Sequence, residues 1–87
     1  MPSKVAVVGS RIGLHARPAA VIASAASEFE DEITLSVGGA DGHGVDATSS
    51  LLIMTLGAEL GVEVTVESEN RDAVDQIAAL IEQDLDG

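Results

Sequence analysis

Alternation and helical spacing of the apolar positions lay out seven elements along the chain. Residues 4–8 alternate weakly, with Val5 and Val7 on one face, and predict a first strand ended by Gly9. An Ala-rich stretch then runs to about Phe29, and Pro18 suits its first turn, where a missing N–H costs nothing. At 100° per residue, Ile22, Ala25, Ala26 and Phe29 gather with Pro18 and Ala19 as a core face, leaving Ala16, Arg17, Ala20, Val21, Ser24, Ser27 and Glu28 outside. Ile33, Leu35 and Val37 alternate with Thr34 and Ser36 as a half-buried strand. Residues 38–42 form a Gly-rich turn cluster, and a short strand over 44–46 pairs back across it. Ser49 caps a short helix through Leu56, closed by Gly57. Its Leu52, Ile53 and Leu56 read as the core side, with Leu51 and Met54 facing away. Val62, Val64 and Val66 alternate with Glu63, Thr65 and Glu67 in the clearest strand of all. Asn70 caps a final helix, with Val74, Ile77, Ala78, Ile81 and Leu85 on one face.

The order is β-α-β-β-α-β-α. One apolar face per element predicts two layers, a mostly antiparallel sheet with helices on one side. The 87 residues suit a single domain over 1–87, large enough for a core but not for a deep enclosed active site.

Composition narrows the function. The chain lacks Trp and Tyr and carries one Phe, so it offers no aromatic platform for bases. A net charge of −11 argues against nucleic acid and anionic membrane surfaces as partners. Without Cys there is neither a disulfide nor a thiolate metal site. No apolar run reaches about 18 residues and no signal peptide is seen, so a soluble, cytoplasmic protein is expected.

The charge is also unevenly spread. All 15 acidic residues lie from Glu28 onward, while residues 1–27 carry Lys4, Arg11 and Arg17 without an acid. An anion is therefore tolerated near the first third of the chain and repelled elsewhere. His15 stands there, just ahead of the first helix. The first N–H groups of a helix lack intrahelical partners, and the macrodipole places partial positive charge at them. A phosphate on His15 could be met by the backbone N–H groups of Ala16 and Arg17 and by the Arg17 guanidinium. Attack on phosphorus would draw on the lone pair of a neutral ring nitrogen. By residue type alone, a histidine before a helix can equally just end a surface loop. His43, near Asp41 and Asp46, reads as part of a solvated turn, and no metal site, cofactor site, triad, P-loop or carboxylate pair is visible.

Gly-Leu-His-Ala-Arg-Pro-Ala-Ala at 13–20 resembles the signature of the HPr family, histidine-containing phosphocarriers of the phosphoenolpyruvate-dependent sugar phosphotransferase system. The similarity extends over the element order, the chain size, the Met-x-Leu-Gly end of the second helix and the last amphipathic helix. It implies an α+β open-faced β-sandwich, four antiparallel strands covered on one face by three helices. It further implies that enzyme I donates a phosphoryl group to a ring nitrogen of His15 (Nδ1 in the family). The acceptor would be the enzyme IIA domain of a sugar permease, and the carrier a monomer rather than an independent enzyme. Arg17 matches the family arginine that pairs with the phosphate. Since the first two helices flank the histidine in this family, Ala20, Val21, Leu51 and Met54 would form the docking patch.

Two departures accompany the resemblance. Many family members carry lysines where this chain has Ser24 and Ser27, so docking should lean on apolar contact and respond less to salt. Ser49 aligns with the serine phosphorylated by a regulatory kinase in some lineages, but Thr48-Ser49-Ser50 lacks the usual flanking lysine and isoleucine. A plain N-cap is the competing reading there. Two other functions stay open on the sequence: a regulatory paralogue with a different phosphoryl donor, and a module binding a free small anion.

Overall fold

The computed structural model describes residues 2–38 and 44–85, and places in order β1 (Ser3–Val7), α1 (Ala16–Ala26), β2 (Ile33–Val37), β3 (Val45–Asp46), α2 (Ser50–Thr55), β4 (Glu63–Ser68) and α3 (Arg71–Glu82). The four strands form one antiparallel sheet in the order β1-β4-β2-β3. The fold is the α+β open-faced sandwich expected, with the three helices on one side.

Register decides which side chains meet the helices. Val64 faces Ala6 and Val37 across the two ladders, and Val66 faces Leu35. Val64, Val66, Ala6, Ile33 and Leu35 are all fully buried. Val5 and Val7 do lie on one face of β1, but it is the open face, where they are exposed. Ala6 and Val8 fill the core instead. Small residues on α1 (Ala19, Ala23, Ala26) bring its axis close to its neighbours, while Ile22 supplies bulk. On α3 the buried stripe is Ala73, Val74, Ile77, Ala78 and Ile81, at the spacing the sequence predicts.

Three details differ from the periodicity. The helical pattern toward Phe29 stops at Ala26: the Ser27 hydroxyl competes with its own N–H for the Ala23 carbonyl, and the N–H groups of Glu28 and Phe29 then switch to the tighter three-residue bonds to Ala25 and Ala26. Ala23 rather than Ala25 completes the buried stripe of α1. The last helix ends at Glu82, and Gln83 is extended, so Leu85 packs on the core from beyond the helix.

The end of β3 is fixed by a side-chain turn. The Asp46 carboxylate accepts from the Thr48 N–H at 2.9 Å and from its hydroxyl at 2.7 Å. Those bonds, the backbone one first, hold the Asp46 carboxyl below its ordinary value. A lowered carboxyl contributes stability that is present above its unfolded pKa and lost as pH falls through the folded one. Asp46→Asn should therefore lower the urea midpoint slightly at neutral pH, and that difference should begin to shrink only below about pH 4 and vanish once the folded carboxyl is itself protonated. Denaturation curves of both chains across pH check this.

Candidate functional site

Each helix begins differently. Asn70 caps α3, its Oδ1 accepting from the N–H groups of Asp72 and Ala73. Ser49 caps α2, its Oγ accepting from Leu52 N–H at 3.2 Å, so the N-cap reading of this serine is realised. His15 occupies the N-cap of α1 with extended backbone and makes no side-chain cap, and the first turn holds no acid. Pro18 has no N–H, and Ala19 N–H faces the His15 carbonyl at 3.5 Å. Among the described residues no backbone carbonyl accepts from the N–H groups of Ala16 and Arg17, the two residues that follow His15.

The entry to α1 is tightly held. Gly13 takes φ +76°, and a Cβ there would run into the Ala58 carbonyl. Leu14 is buried and its N–H donates to that same carbonyl at 2.8 Å. Ala16, directly after the histidine, has φ +44°, and it is the one non-glycine residue with positive φ among those described. Such a backbone costs on the order of 1–2 kcal/mol and persists only where its surroundings enforce it.

Around this point His15 is half-buried and Arg17 exposed. Among the described residues no carboxylate pairs with Arg17, whereas Arg11 is engaged with Asp84 at 3.3 Å. Arg17 also lines one end of a shallow groove floored by Ala20, Val21, Ala25 and Leu80, with Glu28 at the other end. A guanidinium with no carboxylate partner among the described residues, the N–H groups at a helix start and a half-buried imidazole suit reversible handling of a dianion. Nothing there encloses a substrate.

The apolar residues beside the site are placed unequally. Ala20 is exposed and Val21 half-buried on α1; on α2 Leu51 is 72% exposed. Met54 is half-buried against the core, while Leu52, read as a core residue, is 42% exposed. The reason is length. A helix of six residues is anchored by one buried side chain, Ile53, and burial turns it so that its Met54 edge leans inward and its Leu52 edge outward. Leu52 therefore joins the exposed patch, which periodicity over so short a segment could not reveal.

His43 and Asp41 lie outside the described residues. Among the described residues no cluster of His, Cys, Asp or Glu could hold a metal ion. No described helix is long and apolar enough to cross a membrane.

Comparison with known proteins agrees with the fold. Residues 2–83 match the family model described as PTS HPr component phosphorylation site. The chain is 32% identical over 81 residues to the phosphocarrier protein HPr of Mycoplasma capricolum subsp. capricolum, covering 93% of this chain and 88% of that protein. Among solved structures, HPr from Bacillus anthracis is 31% identical with a TM-score of 0.82, over 92% of this chain and 95% of that one. HPr-C-His from Thermoanaerobacter tengcongensis is 31% identical with a TM-score of 0.85, over 100% of this chain and 98% of that one.

Proposed function

The chain belongs to the HPr family of phosphotransferase-system phosphocarriers, and from that membership we propose that it carries the phosphoryl group on His15. In this reading phosphorylated enzyme I is the donor and the enzyme IIA domain of a sugar permease the acceptor. The carrier works in the cytoplasm as a monomeric single domain. A neutral ring nitrogen attacks phosphorus, the N–P bond forms as the bond to the donor breaks, and the reverse sequence discharges the group to the next protein. What supports the reading is the start of α1, where His15 makes no side-chain cap and the nearby Arg17 pairs with no carboxylate among the described residues.

The openness of the site fits a carrier. Water is excluded only when a partner covers it, so alignment and desolvation are supplied in the complex. Ala20, Val21, Leu51 and Met54, with Leu52, form the docking surface, and apolar contact dominates it.

A relay assay tests this. Charged by enzyme I and phosphoenolpyruvate, the chain should pass its phosphoryl group to a cognate IIA domain, and failure of either transfer with active partners refutes the proposal. Leu51→Asp, at a site already 72% exposed, should fold normally and raise the KM of both partners for the carrier by about tenfold, with kcat nearly unchanged. Steady-state kinetics with each partner separate the two constants.

A further inference from the structure

The loop that delivers His15 is fastened at both ends. Near His15 the fastening is the Leu14 N–H donated to the Ala58 carbonyl, with Gly13 packed so closely there that a Cβ would not fit. Near β1 it is Ser10, which is fully buried although polar. Its hydroxyl donates to the Gln83 carbonyl at 3.1 Å and accepts from Leu85 N–H at 3.0 Å, and its own carbonyl accepts from Gly13 N–H at 3.0 Å. One residue thus ties the segment after α3 to the turn that leads into His15. The neighbouring ion pair of Arg11 and Asp84 adds little, because Arg11 is 81% exposed and the pair is open to solvent and salt.

We propose that Ser10 is a positioning residue for phosphoryl transfer, acting through the segment after α3; this rests on the reading of His15 as the acceptor. The link runs through backbone geometry. Ala16 keeps φ +44° only while the chain before it is held, and that conformation aims the N–H groups of Ala16 and Arg17. Without the hydroxyl, the Gln83 carbonyl and the Leu85 N–H lose their partner and the turn at 10–13 loosens. Ala16 is then free to relax, and the anion-binding groups are no longer preset beside the ring. The docking surface on α1 and α2 is untouched.

Steady-state transfer from phosphorylated enzyme I to four full-length variants provides the test. Ser10→Ala should lower kcat by about tenfold with KM within about twofold of wild type. Leu85→Pro removes the N–H partner from the other side and should match it. Leu85→Ala keeps that N–H while losing packing, and should retain wild-type kcat despite a lower Tm. The double variant Ser10→Ala, Leu85→Pro should be no slower than either single one, since both cut the same link. Wild-type kcat in Ser10→Ala overturns the proposal, as does a kcat loss in Leu85→Ala equal to that of Leu85→Pro. If the wild-type chain accepts no phosphoryl group at all, the reading of His15 falls and Ser10 with it; wild-type transfer with Ser10→Ala unimpaired removes Ser10 alone.

Discussion

Replacing Gly9 by alanine should destabilise the protein by on the order of 3 kcal/mol and lower its Tm by roughly 15 °C. A Cβ at this position would fall on the carbonyl of Glu82, with the Glu82 carbonyl carbon at 2.7 Å and that of Gln83 at 3.3 Å. These are backbone atoms at the end of α3, so no side-chain rotation relieves the overlap. Gly9 N–H also donates to the Ile81 carbonyl at 3.0 Å, and separating the two segments would break that bond. A contrasting position isolates the cause. Gly57 has φ +64° with open space around it, so Gly57→Ala should cost only about 1 kcal/mol, from the backbone conformation alone. Thermal unfolding of both variants separates crowding from dihedral strain. Equal losses would mean that β1 and the end of α3 can part without penalty.

The second large effect concerns rate. Arg17→Ala should slow phosphoryl transfer from enzyme I by about a hundredfold, in the range set by removing one preorganised donor from a developing anionic charge. The side chain is exposed and unpaired among the described residues, so Tm should hardly change. Arg17→Lys keeps a point charge but loses the planar fork, and should recover part of the rate while staying about tenfold below wild type. Single-turnover kinetics with phosphorylated enzyme I measure all three. A wild-type rate in Arg17→Ala would leave the backbone N–H groups as the whole phosphate site.

Much of this architecture was legible in the pattern of residues. The Val62–Val64–Val66 alternation and the Val74–Ile77–Ala78–Ile81 spacing located β4 and α3, because each extends over enough residues for one period to dominate. The His-Ala-Arg-Pro string placed His15 at a helix start through the fixed geometry of proline. The face of α2 was not legible, since one buried Ile53 orients it and Leu52 and Met54 lie on opposite edges. Nor was the role of Ser10. A serine beside Gly9 reads as ordinary turn chemistry, and only contacts with Gln83 and Leu85, more than seventy positions away, make it a fastening. The positive φ of Ala16 is likewise invisible in an alanine, whose type favours regular helix. A Gly-x-x-Ala spacing would not have revealed it, because the conformation is imposed by the loop rather than encoded in the residue.

The decisive measurement is intact mass after incubation with enzyme I, phosphoenolpyruvate and Mg²⁺, for the wild-type chain beside His15→Ala and His43→Ala. One added phosphoryl group, labile to acid, should appear on the wild-type and His43→Ala chains and be absent from His15→Ala. Phosphorylation of His15→Ala to the wild-type extent, or none on the wild-type chain with an active cognate enzyme I, would contradict the assignment of His15 as the carrier residue.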